Sequence, residues 1–278
     1  MKDISIQELK NTAVQMRMKV IDMIYKAQSG HPGGALSAAD FVTACYFKYM
    51  NLDPQNPRWP DRDRMVLSKG HVCPIQYACL ASVGFFPESE LDTLRKEGSM
   101  LQGHPSMNKC PGIDISTGSL GQGLACGVGM ALAAKMDGKD YRVYVAVGDG
   151  EAQEGEIWEA ANTAHKYKLD NLITFVDFNN LQIDGTCDEV MPNGDLGAKF
   201  REFGFDTYEI DGNDMEQMVA ALNLARAVKN GKPKCIYAHT IKGKGVSFME
   251  NVCSWHGVAP NEEQWKQAMD ELDAQYVK

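Results

Sequence analysis

Short, unbroken apolar runs separated by helical stretches constrain this chain most. Residues 141–147, 172–176 and 234–240 each have about the length of one strand and are rich in β-branched and aromatic residues. Apolar steps of three and four recur over residues 157–167 and 215–229, the spacing of helices that cover a core. A strand that is apolar at successive positions must be buried on both faces, whereas a half-solvated strand alternates. The pattern predicts an α/β fold, a parallel sheet covered by helices on both faces.

The rest of the chain fits that frame. Leu9, Ala13, Met16, Val20, Ile24 and Ala27 mark one face of a helix ending near Gly30, and a second helical stretch spans residues 37–50. Residues 51–63, with Pro54, Pro57 and Pro60, read as a surface loop, and residues 64–67 as a short buried strand. No repeat or composition shift divides residues 1–278, so one domain is expected.

Composition excludes several classes of function. With 28 Lys and Arg against 37 Asp and Glu, the net charge of −9 argues against a nucleic-acid-binding face. No apolar run approaches the roughly 20 residues that span a membrane, and no secretory signal opens the chain, so a cytoplasmic protein is expected. The eight cysteines form no C-x-x-C pair, which indicates neither a zinc site nor a disulfide framework.

In an open parallel sheet, ligands gather beyond the carboxyl ends of the strands. Gly148-Asp149-Gly150 falls at such an end, where glycine lets backbone approach a diphosphate and a lone carboxylate suits a hard divalent cation. At the next strand end, Asn179 offers an amide oxygen and Leu181 a main-chain one, in Asn179-Asn180-Leu181-Gln182-Ile183-Asp184-Gly185. That donor set leaves octahedral positions for phosphate oxygens and water, the usual way of holding Mg2+. Four of the six histidines, His31, His71, His104 and His256, sit beside a glycine in predicted loops and can share one pocket. His165, inside a helix, reads as a packing residue, and His239 is left open.

The pair of strand-end motifs resembles the thiamine diphosphate binding motif, and the surrounding words narrow the likeness. Gly30-His31-Pro32-Gly33-Gly34, Ser68-Lys69-Gly70-His71, Gly103-His104-Pro105, the run from Gly118 to Gly123, the run from Gly148 to Gly155, and Ser254-Trp255-His256-Gly257 follow the order seen in transketolases. The resemblance implies that Asp149, Asn179 and the Leu181 carbonyl coordinate Mg2+, or Ca2+ or Mn2+ in its place. It implies that Gly150, His71 and His256 contact the diphosphate, with Asn179 also on the cofactor side, and that Gly118, Leu120 and Ile183 line the thiazolium. His31, His71, His104 and His256 would face the substrate as catalytic groups. Lys242 matches a basic residue near the site, and Glu154 and Glu159 match acidic residues that connect two active sites in the family; neither glutamate is assigned to catalysis.

Transketolases have a diphosphate module, a pyrimidine module and a C-terminal module, and residues 1–278 match the first alone. The resemblance therefore implies one half of a split transketolase, its N-terminal subunit. It would move a two-carbon ketol unit from a ketose phosphate to an aldose phosphate, in a two-fold heterotetramer with a C-terminal subunit carrying the pyrimidine domain. Other readings are the diphosphate-binding part of a 2-oxo acid dehydrogenase or a deoxyxylulose phosphate synthase, and a catalytically silent scaffold. The histidine set favours ketol transfer over decarboxylation, and the intact cation ligands weigh against a scaffold.

Overall fold

A computed structural model describes residues 3–277. Five parallel strands, β1 (Arg64–Leu67), β2 (Val143–Gly148), β3 (Leu172–Phe178), β4 (Asp206–Asp211) and β5 (Lys234–His239), form one sheet in the order β1-β2-β3-β5-β4. The helices are α1 (Ile6–Ala27), α2 (Pro32–Ser37), α3 (Ala39–Ala44), α4 (Cys73–Ser82), α5 (Gln122–Met136), α6 (Gly155–Lys166), α7 (Cys187–Val190), α8 (Leu196–Glu202), α9 (Met215–Ala227) and α10 (Glu262–Asp273).

Alternate residues of β1, β2, β3 and β5 enter two separate cores, which is why the runs are unbroken. Met65, Leu67, Tyr144, Ala146, Ile173, Phe175, Ile236 and Ala238 pack with α1, α3, α4 and α9. Val66, Val143, Val145, Val147, Leu172, Val176, Cys235 and Tyr237 face the other way, against α5, α6 and α8. Helices thus cover both faces, as the hydrophobic pattern requires.

Two elements depart from the sequence reading. The sequence offers no signal for β4: Asp206-Thr207-Tyr208-Glu209-Ile210-Asp211 has no apolar run, because this edge strand keeps its residues partly exposed, whereas β1 at the opposite edge is buried. The single helix expected over residues 37–50 begins earlier, with Pro32 at its first position, breaks at Ala38, and ends in a π-helical turn, Cys45–Tyr49. No helix among the described residues is long and apolar enough to cross a membrane.

Every strand except the edge strand β4 ends toward one cleft. Ser68 follows β1, Asp149 follows β2, Asn179 follows β3 and Thr240 follows β5, so four loops deliver side chains to the same sheet edge.

Candidate active site

The cleft at that edge is a cavity of about 330 Å³ lined by His31, His71, His104, His256, Gly118, Leu120, Asp149, Gly150, Asn179, Leu181, Ile183 and Lys242, among others. Every residue assigned by resemblance to catalysis, cofactor or metal is therefore in one place. Glu154 and Glu159 are not. Glu154 is the residue before α6 rather than part of it, Glu159 lies on its surface, and both are exposed. His239 sits beside Glu209 at 2.8 Å on the exposed edge, and His165 packs against Gly204, so neither belongs to the cleft.

The imidazoles form a cluster. Ring centroids of His31 lie 5.1 Å from His71, 6.3 Å from His104 and 5.6 Å from His256, and His71 lies 5.1 Å from His256. Gly118 makes room for one of them: its φ of +145° and the His104 ring, 2.8 Å from where a Cβ would stand, both require glycine. Burial lowers the affinity of all four for protons. His31 is pushed to about 4 by burial and then by Arg95, His104 and Lys242. His256 falls to about 3, from burial and then Lys242, His31 and Lys69. His71 is held well below the ordinary value by burial and Lys69, and His104 is lowered by burial and Arg95. The cluster is neutral at pH 7, each ring carrying one N–H and one lone-pair nitrogen.

Asp149 is 3% exposed. Its Oδ1 accepts from Gly150 N at 2.7 Å, and its Oδ2 accepts from Asn179 N at 2.8 Å and Asn180 N at 2.5 Å. Asn180 adopts the left-handed region, φ +56°, and the two successive N–H groups of Asn179 and Asn180 form a concavity around the carboxylate. Burial followed by the charge of Asp177 pushes that carboxyl up to about 6. Asn179 Oδ1 accepts from Leu181 N at 3.1 Å, and Leu181 O accepts from Lys242 Nζ at 3.0 Å. Lys242 is buried, and desolvation lowers it to about 8.

Sequence reasoning assigned no role to several groups that hold this edge together. Asp177, fully buried, pairs with Lys69, accepts from Ser37 Oγ at 2.6 Å, and accepts from Thr240 Oγ1. Glu151, also buried, accepts from Ser68 Oγ and from Gly121 N at 2.9 Å through one oxygen and from Gly148 N at 3.0 Å through the other. It fastens the loops after β1 and β2 to the loop before α5. Position at a strand end is the available signal for both, but their side-chain partners are far away in the chain.

The residues present fit a magnesium diphosphate. A buried carboxylate that no Lys or Arg of the described residues pairs with stands beside an amide oxygen and a main-chain oxygen, and glycines at 118 and 150 keep the wall low. Among the described residues no three His, Cys, Asp or Glu side chains converge as a metal cage, so a cation held by Asp149, Asn179 and the Leu181 carbonyl would take its remaining ligands from its own phosphate and water. The buried Gln182 Nε2, which has no hydrogen-bond partner, adds an unused donor on the cleft wall.

Fold and site together define a diphosphate-binding domain of a cofactor-dependent enzyme. Residues 9–276 match the family described as "Transketolase, thiamine diphosphate binding domain", and the chain belongs to that family. It is 46% identical over 266 residues to the 6-deoxy-6-sulfo-D-fructose transketolase subunit SqwG of Clostridium sp. (strain MSTE9), covering 96% of each chain. It is 42% identical to an apulose-4-phosphate transketolase subunit from Phocaeicola vulgatus, covering 98% of this chain and 96% of the relative. Against the transketolase of Homo sapiens it is 41% identical but spans only 43% of that protein. The crystal structure of transketolase from Campylobacter jejuni superposes with a TM-score of 0.90 at 35% identity, over 98% of this chain and 43% of that one.

Proposed function

We propose that the chain is the N-terminal subunit of a split, thiamine diphosphate-dependent transketolase, moving a two-carbon ketol unit from a ketose phosphate to an aldose phosphate. The observation that carries this reading is the convergence of four neutral imidazoles with Asp149, Asn179 and the Leu181 carbonyl in one cleft. Asp149, Asn179 and Leu181 O would hold Mg2+, and through it the diphosphate, with Gly150, His71 and His256 against the phosphate oxygens. Gly118, Leu120 and Ile183 would line the thiazolium. Bound thiamine diphosphate supplies a ring that stabilises the carbanion formed when the ketose carbon–carbon bond breaks. His31, His71, His104 and His256 meet the substrate hydroxyls, and neutral rings of this kind can hold or pass protons there.

A separate subunit would carry the pyrimidine domain and the C-terminal domain. Support comes from relatives named as subunits, which the chain spans over 96–98% of their length. The cleft wall also presents apolar side chains to solvent, Leu120 at 39% and Ile183 at 68% exposure, a surface suited to burial against another chain. A two-fold assembly with two copies of each subunit would place each cleft at such a junction. The relatives named for a sulfonated fructose and for apulose 4-phosphate point to a specialised sugar as substrate.

Reconstitution tests the reading. The purified chain alone should transfer no ketol unit, and addition of the pyrimidine-domain subunit should restore transfer in the presence of thiamine diphosphate and Mg2+. Transfer by the chain alone would refute it.

A further inference from the structure

Two of the four imidazoles are gripped on the same ring nitrogen by a cation. Arg95 reaches His31 with Nη2 3.1 Å from Nδ1, while its Nη1 donates to Ser29 Oγ at 3.0 Å and its Nη2 also faces Gly103 O at 3.4 Å. At His256, Lys242 Nζ lies 2.8 Å from Nδ1. A guanidinium and an ammonium carry donors and no acceptor. Each Nδ1 must therefore accept with a free lone pair, and the one proton of the neutral ring is confined to Nε2. His71 and His104 have no cation within hydrogen-bonding distance of a ring nitrogen among the described residues.

Arg95 is held for this contact at a conformational cost. Its φ is +60°, the left-handed region that non-glycine residues seldom occupy, and its N–H is tied to Leu101 O at 2.8 Å. None of its hydrogen-bond partners is a carboxylate. The His31 ring lines the cavity, and its Nε2 has no partner among the described residues. Gly257 adjoins that nitrogen: a Cβ on it would stand 3.5 Å away, in ordinary van der Waals contact. The His31 and His256 rings, 5.6 Å apart and perpendicular, face the same space.

We propose that Arg95 and Lys242 are positioning residues that fix His31 and His256 as Nε2–H donors, so that each ring meets an acceptor oxygen, of the substrate or, at His256, of the diphosphate, rather than taking a proton from it. The oxygen chemistry suited to such donors is a ketose carbonyl or the oxyanion it becomes. Proton exchange is then left to His71 and His104. The division of labour rests on the ketol-transfer reading; the tautomer assignment does not.

Histidine side-chain 15N correlation spectra of the full chain at pH 7 read each tautomer directly. In the wild type, His31 and His256 should both be Nε2–H, with His31 unprotonated down to a pH of about 4. Arg95→Gln, whose amide can accept as well as donate, should let His31 populate Nδ1–H, and Arg95→Lys, a donor only, should keep the wild-type pattern. In the reconstituted pair, Arg95→Gln should lower kcat about tenfold, part of the roughly 10²–10³ that loss of a preorganised donor costs. Thiamine diphosphate affinity should stay unchanged, and Arg95→Lys should recover most of the rate. An Nδ1–H signal at His31 or His256 in the wild type would overturn the proposal by itself, whether or not a variant folds. So would a folded Arg95→Gln chain that keeps His31 wholly Nε2–H with unchanged kcat. Locked tautomers in a chain that binds no thiamine diphosphate would remove the ketol-transfer reading and leave the tautomer assignment standing.

Discussion

Asp149 and Asp177 stand at the ends of neighbouring strands, both buried, and they are satisfied in different ways. Asp177 has a cation, Lys69, and two hydroxyl donors, Ser37 and Thr240. Asp149 is held by three backbone N–H donors, and its carboxyl is pushed up to about 6. A buried charge with its partner in place is part of the scaffold, whereas one with no ion-pair partner in contact that lines a cavity is suited to a ligand that brings one. Asp177 holds the sheet edge; Asp149 serves the ligand.

Substitution should separate the two. Asp149→Ala is expected to weaken Mg2+-dependent thiamine diphosphate binding more than about 100-fold, beyond the roughly 10–100-fold that outer-sphere partners of a metal cost. Calorimetric titration of the assembled pair measures it, and unchanged affinity would take Asp149 out of the cation site. Asp177→Ala leaves Lys69 buried and unpaired, so urea unfolding should show a loss of about 3–5 kcal/mol. The same measurement on Asp149→Ala should show a much smaller change. Equal losses would erase the contrast.

The histidines sharpen the contrast from the substrate side. His104→Ala should reduce turnover of the reconstituted pair by roughly 10²-fold, the low end for loss of a proton-handling group, with cofactor affinity nearly intact. A loss confined to cofactor binding would move His104 out of the substrate's reach. The smallest effect concerns pH. His31, at about 4 in the folded chain, titrates near 6.5 when unfolded, so between those values the unfolded state binds more protons. Stability should therefore fall on acidification through that window, and His31→Gln should flatten the slope. A slope unchanged in that variant would show that His31 titrates normally.

Much of this architecture is legible in the amino-acid order. Strands flanked by two cores carry unbroken apolar runs, so β1, β2, β3 and β5 are visible, whereas β4, half-exposed at the edge, has no such run. The cleft residues are legible because glycines and histidines occur in ordered words whose resemblance extends along most of the chain. Lys69 with Asp177 and Arg95 with His31 are separated by 108 and 64 positions, and nothing local in either segment announces a partner so distant. Glu151 stands within a legible motif, but its grip on Ser68, Gly121 and Gly148 exists only once three loops meet.

Crystals of the assembled subunits grown with thiamine diphosphate and Mn2+ put the cation question most directly, because manganese scatters anomalously. The cation site assigned to this sheet edge predicts one anomalous peak bonded to oxygens of Asp149, Asn179 and the Leu181 carbonyl as well as to the diphosphate. A diphosphate bound with the manganese elsewhere, or with none beside Asp149, would contradict it.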